Sequence, residues 1–585
     1  MNMNTKQEEI GRPSIERPWE KYYNENGKNY SFPHMNVFDF VYEENKSRSN
    51  LIALEYEGNK ISFKEFFDKV NERTALFQSM NIQSGEIVTM ATLLTPDFVY
   101  DFYALARLNV ISNLIDPRTS VEGIKEYLDE AGSKLIITNN LFIDKIRSAI
   151  SDGDYKVIST SLFDEAKKLE FPLNLASIAF GIKSDIYMKS DRRVSKYSKL
   201  GRESKAVDVK ATTGDLTIVH TGGTTGTPKG VVLSHDNYNA VAMQYLKSDI
   251  GFTPKEKFMI IMPPWISYGS GLLHMTLVGG MTAQLIPKLD GKKMDLALIK
   301  NKPTWFAGVP AHFINMLGRQ IADSKEAFNS IRSGAIGGGP TPAELFQDVE
   351  EYFLKNGCRQ GMIPGYGLTE CSSTLAARQS AEFHPGSVGF PLPGSTAGIF
   401  KIDEKTGLTT DTELGYDEQG EVCLQTPAMM TGYFKNPELT KKVLVKHSDG
   451  KTWIHTGDLG HIDKDGFLFI DGRIKELIIR FDGFKVYPYL IENIIQKING
   501  IETVKVVGIT DPINLGGEVP MVFYTIKSTF MEDADLISKE VKNICYKELA
   551  AYYTEGIQFK RIDKMPLTPI GKVDYRRLKE ESQSA

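Results

Sequence analysis

Thr221, Gly222, Gly223, Thr224, Thr225, Gly226, Thr227, Pro228, Lys229 and Gly230 follow one another without interruption, packing hydroxyls, glycines and a lysine into one short stretch. That combination suits a loop that holds phosphate. Glycines let backbone N–H groups approach an anion, threonine hydroxyls add donors, and the lysine adds compact positive charge. The same composition is ordinary turn chemistry, so a solvated connector is the alternative for this loop taken alone. A Walker A loop is excluded, because no Gly-Lys-Ser/Thr follows and the next residues, 231–235, read as a strand. Residues 216–219 before the loop also read as a strand, giving a flexible loop between two strands.

Four further motifs lie downstream: Gly365-Tyr366-Gly367-Leu368-Thr369-Glu370, Thr456-Gly457-Asp458, Gly472-Arg473-Ile474-Lys475-Glu476 and Pro569-Ile570-Gly571-Lys572. Each has a plain structural reading. Glu370 suits a helix first turn, where the dipole favours a carboxylate. Tyr366 suits a packed turn, and Asp458 a turn after glycine. Lys572 is one of 69 Lys and Arg residues, set apart by its Pro/Gly-framed turn near the C-terminus.

In this order and at this spacing the five motifs resemble those of the adenylate-forming superfamily, which comprises acyl-CoA synthetases, peptide-synthetase adenylation domains and luciferases. The likeness is nearest to AMP-forming acyl-CoA ligases. It runs from about residue 212 to the C-terminus, with Leu114-Ile115-Asp116-Pro117 similar in a looser way. Such enzymes join a carboxylate to the α-phosphorus of ATP, release pyrophosphate, and pass the acyl group to a thiol. The resemblance implies that residues 221–229 hold the leaving phosphates, Thr369 contacts the α-phosphate and Glu370 holds Mg²⁺, a hard cation that prefers oxygen. It implies that Tyr366 stacks on adenine, that Gly337, Gly338, Gly339 and Pro340 lie under the nucleotide and acyl group, and that Asp458 accepts from both ribose hydroxyls beside Arg473. Lys572 would bridge carboxylate and nucleotide in the transition state. Lys475 matches the hinge about which a C-terminal lid rotates, and the segment with Gly483 and Lys485 matches the lining of the thiol tunnel after rotation. The spacing from Lys475 to Gly483 is one residue longer than in many relatives, leaving the alignment of Arg480, Phe481 and Asp482 open.

Pro263-Pro264-Trp265-Ile266-Ser267-Tyr268-Gly269 aligns with the stretch that shapes the acyl pocket. Amino-acid-activating relatives usually place an Asp where this chain has Ile266, and many acyl-CoA ligases place a His there. A buried ammonium without a partner is costly, which disfavours an α-amino acid. Trp265, Ile266 and Tyr268, with Leu272 and Leu273 beyond, would line an apolar pocket for a fatty or aryl acid; a buried helix face is the alternative. CoA is the expected acceptor. The rival is the phosphopantetheine arm of a carrier protein, with the basic run Arg192, Arg193, Lys196, Lys199 and Arg202 as its docking candidate or simply a solvated face. A nucleotide-binding protein without catalysis would be expected to lack the carboxylate or the lysine, yet Glu370 and Lys572 are both present.

The elements that must position these groups follow from bulk properties. At 585 residues the chain is too long for one core. A formal net charge of -5 gives no reason to expect nucleic acid or an anionic membrane as partner. Four cysteines without CxxC spacing indicate neither a zinc site nor a disulfide framework, and suit a reducing cytoplasm. The polar N-terminus lacks a secretory h-region, and no apolar run approaches the ~20 residues of a membrane span. Apolar runs at 87–94 and 135–138 alternate with helical periodicity at 63–77, the pattern of an α/β fold with buried strands. Residues 189–210, rich in Lys, Arg and Ser, are expected to form an exposed connection. Strand signals after 467 and a helix candidate at 536–549 suit a small second domain. The expected division is a large multi-sheet α/β core over 1–471 and a small α+β lid over 472–585.

Overall fold

The computed structural model describes residues 11–151, 153–167, 191–197, 200, 213–221, 229–287, 291–319, 321, 324, 326–372, 376–377, 384–403, 406–514, 516–567 and 573–583. Two large sheets dominate the N-terminal part. Among the described residues one has eight strands, ordered Gly432–Tyr433, Lys229–Ser234, Asp215–Thr221, Ile111–Leu114, Ile87–Ala91, Leu135–Asn139, Lys156–Thr160 and Val194–Ser195. Ile87–Ala91 pairs in parallel with both Ile111–Leu114 and Leu135–Asn139, and such strands, covered on both faces, require the continuous apolar runs seen in the sequence. The second sheet, of nine described strands, has a parallel centre that includes Lys257–Ile260, Trp305–Gly308, Ser333–Ile336 and Met362–Tyr366.

Helices fill the space between and around the sheets. Phe63–Ser79 starts at a capping box in which Ser62 and Glu65 satisfy each other's backbone N–H groups, and buries Phe63, Phe66, Phe67 and Val70. Ser267–Val278 is buried along almost its whole length. Its one strongly polar side chain, His274, is matched on both sides by Tyr103 Oη at 3.0 Å and Asn239 Oδ1 at 2.9 Å. Burial pushes that imidazole down to about 3, so it stays neutral.

A third sheet follows, in which Gly420–Gln425 and Thr452–Ile462 are antiparallel neighbours and Leu468–Arg473 adds to the far edge. The C-terminal part has its own core, in which Ile491, Ile495, Val506, Val522 and Val541 pack between a three-stranded sheet and the helices Pro488–Gln496 and Ala534–Glu548. The expected large α/β part with several sheets and small α+β part are both present.

The ladder of the third sheet runs through Gly472 opposite Leu459 and Arg473 opposite Asp458. One expectation needs correction. The described part of the basic segment is docked instead of exposed. Val194 is buried and pairs opposite Val157, while Tyr197 lies under the Arg73 guanidinium at 3.1 Å and donates to Asp101 at 2.7 Å. Asp191, which accepts from Arg147 at 3.0 Å, and Arg193, which donates to the Ile150 carbonyl at 2.7 Å, fasten the same segment. Lys199 and Arg202 lie outside the described residues.

Candidate active site

The antiparallel strands Asp215–Thr221 and Lys229–Ser234 hold the Gly/Thr-rich loop at their tip, with Thr221 directly opposite Lys229. Both flanks are strands, as the sequence indicates. Residues Gly222, Gly223, Thr224, Thr225 and Gly226 lie outside the described residues. At the base of the loop the Lys229 ammonium sits 5.5 Å over the Tyr433 ring. Tyr433 Oη donates to Glu370 Oε1 at 2.7 Å. Burial and the neighbouring Lys475 hold Lys229 below its usual range, with Glu370 pulling the other way. Two lysines facing each other in this way make a place where an anion lowers the energy of both.

Thr369 and Glu370 open the 3-10 turn Thr369–Cys371, just after the strand Met362–Tyr366, and Met430 N–H anchors the turn by donating to the Glu370 carbonyl at 2.8 Å. Tyr366, at the end of that strand, donates its hydroxyl to Asp458 Oδ2 at 2.5 Å. Asp458 Oδ1 lies 2.7 Å from Arg473 Nε, and Arg473 Nη1 donates to the Thr456 carbonyl at 3.2 Å. Asp458 is therefore a buried strand residue, cross-strand from Arg473, and the turn reading fails. Gly457 before it has φ +71°, which turns the strand so that the carboxylate meets Tyr366.

Gly338 to Pro340 follow the strand Ser333–Ile336 and lie beside Val309, Pro310 and Tyr268; Gly338 has φ +79°. Trp265, Ile266 and Tyr268 stand at the start of the buried helix Ser267–Val278 and line the same cleft. Leu272 lines it too, whereas Leu273 points into the core. The cleft, of about 3180 Å³, is lined by Asp458, Arg473, Lys229 and Glu370, and also by an aromatic group in which Phe252 packs on Tyr245 and Trp305, the apolar end of the cleft. It opens at the carboxyl ends of parallel strands, where α/β sheets commonly bind ligands.

On the C-terminal side Lys475, Leu567, Val573 and Tyr575 line the cleft. Lys572 lies between Leu567 and Val573 in sequence and outside the described residues. Gly483 and Lys485 do not line the cleft. They belong to the hairpin Ile478–Ile479 and Lys485–Val486, whose turn exposes Phe481 and Phe484. In that turn Gly483 has φ +82° and Arg480 is buried against Asp482 at 2.9 Å and Glu555 at 2.5 Å.

A sequence profile of the AMP-binding enzyme family matches residues 41–434, and one of the AMP-binding enzyme C-terminal domain matches residues 490–572. The chain belongs to the AMP-binding enzyme family. A long-chain-fatty-acid–CoA ligase from Bacillus subtilis is 27% identical over 97% of this chain and 98% of its own length. A 4-coumarate–CoA ligase from Oryza sativa subsp. japonica is 26% identical over 88% of this chain and 86% of its own. The fold also matches the crystal structure of a benzoate CoA ligase from Burkholderia xenovorans, with a TM-score of 0.75 and 18% identity over 93% of this chain and 99% of that one.

Several groups in this AMP-binding enzyme were not singled out from sequence. Tyr433 orients Glu370 from 63 residues away, and Tyr245, Phe252 and Trp305 close the apolar end of the cleft from three separate elements. Gln419 joins the two parts of the chain, its Nε2 donating to Asp471 Oδ2 at 2.8 Å and to Tyr489 Oη at 3.0 Å. His461 Nδ1 meets the same Asp471 oxygen at 3.1 Å, and this hydrogen bond raises the imidazole above its usual range. A raised folded-state value means that the pair stabilises fully below the ordinary histidine range near 6.5 and loses that contribution as pH rises through the higher folded value. Thermal unfolding in His461→Gln is therefore expected to lose part of the wild type's decline above pH 6.5, by at most about 1 kcal/mol for so accessible a pair. Identical pH profiles for the two proteins would remove the pair from the account.

No helix among the described residues is long and apolar enough to cross a membrane.

Proposed function

We propose that this AMP-binding enzyme is an ATP-dependent, AMP-forming acid–CoA ligase whose substrate is a fatty or aryl acid and not an α-amino acid. One observation carries the reading. A single continuous cleft joins a nucleotide end at Tyr366, Asp458 and Arg473, a phosphate end at Thr221, Lys229 and Glu370, and an apolar wall at Trp265, Ile266 and Tyr268. The activities named for the similar Bacillus and Oryza proteins support it.

In the first half-reaction a carboxylate oxygen bonds to the α-phosphorus as the bond to the bridging oxygen breaks, releasing pyrophosphate and leaving acyl-AMP. Two anions must meet, so catalysis rests on positioning and on cations aimed at the phosphates. Thr221 to Lys229 hold the β- and γ-phosphates, Thr369 contacts the α-phosphate, and Lys572 enters from the lid. Asp458 is a two-oxygen acceptor at strand depth, suited to both ribose hydroxyls, with Tyr366 setting the adenine plane. Glu370 fits Mg²⁺, offering hard oxygen at the phosphate end with its orientation fixed by Tyr433. Bound there, the ion would neutralise phosphate charge. In the second half-reaction the CoA sulfur attacks the acyl carbonyl and AMP leaves, with Gly483 and Lys485 brought to the cleft by rotation about Lys475. The division between the two rotating bodies lies in the turn Ile474–Glu476, where the ladder of the third sheet has ended.

Carrier-protein loading is the weaker reading. Of its basic docking candidates, Arg193 is engaged by Asp191 at 2.9 Å and by the Ile150 carbonyl at 2.7 Å. A cytoplasmic place in fatty-acid metabolism follows from the proposed substrate and cofactors.

Incubation with ATP, Mg²⁺ and a panel of fatty, aryl and amino acids, with and without CoA, tests the reading by mass spectrometry of the products. Acyl-CoA from an apolar acid is expected. Acyl-AMP that persists despite CoA would move the assignment to a carrier protein, and no adenylate from any acid would overturn it. Ala335 lines the cleft, and Ala335→Trp would narrow it. Use of the longest accepted acid is expected to fall at least ~10-fold, the lower range for one lost hydrophobic contact, while the shortest is spared. Equal loss for both would place the acyl chain elsewhere.

A further inference from the structure

Glu421 and Cys423 lie two residues apart on the strand Gly420–Gln425 and so share a face. On the neighbouring strand Thr452–Ile462, His455 sits directly opposite Cys423. The Glu421 carboxylate, the Cys423 thiol and the His455 ring each place one ligand atom within 4.8 Å of the other two. His447, just after the strand Leu444–Lys446, completes the group with its Nε2 at 2.8 Å from His455 Nε2. Glu421, Cys423 and His447 are buried. Cysteine spacing gave no sign of this cluster, because strand register and not sequence proximity assembles it.

As a purely hydrogen-bonded group the cluster is short of protons. His455 Nδ1 lies 2.9 Å from Glu421 Oε2, which fixes a proton on Nδ1 and leaves a lone pair on Nε2. His447 must then carry its proton on Nε2, and its Nδ1 is left buried without a partner. A cation held by both Nε2 atoms removes the conflict, once the rings part from 2.8 Å to the roughly 3.3 Å that two tetrahedral metal–nitrogen bonds require. Both rings then keep Nδ1–H, His455 donating to Glu421 and His447 facing Asp411 Oδ1, 3.9 Å away. Imidazoles that ligate a metal commonly donate their second N–H to a carboxylate in this way.

We propose that Cys423, His447 and His455 form a site for a borderline-soft divalent transition ion of the zinc class, with Glu421 orienting the His455 imidazole. Thiolate and imidazole donors select such an ion over Mg²⁺ or Ca²⁺, so the site is chemically distinct from the Mg²⁺ position at Glu370. Glu421 and His455 line the cleft, which gives an ion access from solvent. The second Glu421 oxygen accepts Gly457 N–H at 2.8 Å, next to Asp458, so the ion would also stiffen the backbone that carries the nucleotide-facing carboxylate.

The test uses the full-length protein, stripped with chelator and titrated with Co²⁺. One equivalent is expected to bind with visible ligand-field bands and a thiolate-to-cobalt charge-transfer band, and added Zn²⁺ should bleach both. Cys423→Ser is expected to abolish the charge-transfer band. His447→Gln is expected to weaken binding by more than the ~10–100-fold typical of losing an outer-sphere partner. Cys358→Ser, at a buried thiol away from the cluster, should change neither. The wild-type spectrum is decisive even if a variant misfolds. No cobalt uptake, uptake without a thiolate band, or a band that survives Cys423→Ser in folded protein would overturn the proposal.

Discussion

Replacing Lys572 by alanine is expected to slow acyl-AMP formation by about 10²–10³-fold, the range for removing one preorganised group that stabilises transition-state charge. Transfer of a supplied acyl-AMP to CoA should change little. The asymmetry is the informative part. Adenylation brings a carboxylate against a polyphosphate, and the cleft already presents two cations, Lys475 and a Lys229 that is held below its usual range first by burial and then by Lys475. A third cation arriving from the lid would serve only the orientation in which Leu567, Val573 and Tyr575 face the cleft, as they do here. On the proposed mechanism, rotation about Lys475 would bring the hairpin around Gly483 to that place and carry the lysine away. Quenched-flow measurement of pyrophosphate release, set beside single-turnover thioesterification from synthetic acyl-AMP, separates the two steps. Equal losses in both would sink the assigned role, because a residue needed equally in both orientations cannot be one that rotation carries away.

The parts legible in sequence are those whose chemistry is local. The Gly/Thr-rich stretch carries its glycines and hydroxyls side by side in the sequence, and the strands expected on its two flanks are both present. The α/β alternation and the small second domain are legible for the same reason, since buried parallel strands need apolar runs wherever they occur. What escapes is register. Asp458 reads as a turn residue because it follows glycine, yet it lies opposite Arg473 in a long ladder. Tyr433 and Glu370 are joined only by tertiary folding, and no spacing announces them. The basic segment misleads because composition counts its charges, whereas Val194 and Tyr197 decide its place through one edge-strand pairing and one stacked guanidinium. The zinc-class cluster is the extreme case, with each ligand unremarkable in its own stretch of chain.

Register also determines the second large effect, at Asp458. Its two oxygens are engaged by Tyr366 at 2.5 Å and Arg473 at 2.7 Å, so the carboxylate is held rigidly before any nucleotide arrives. A ribose that offers two hydroxyls to such a carboxylate gains charged hydrogen bonds of about 1.5–3 kcal/mol each, reduced by whatever the existing partners give up. Asp458→Ala is therefore expected to lower kcat/KM for ATP by about 10²-fold, corresponding to roughly 2.7 kcal/mol. Misfolding or a displaced Arg473 would also lower activity, so the fall alone decides nothing. A cycle with 2′,3′-dideoxy-ATP does. The wild type should be penalised strongly by loss of the two hydroxyls, whereas Asp458→Ala, lacking the acceptor, should treat ATP and the dideoxy analogue almost alike. If the variant keeps the wild type's full discrimination, the ribose is read by another group and Asp458 serves only to hold Tyr366 and Arg473 in place.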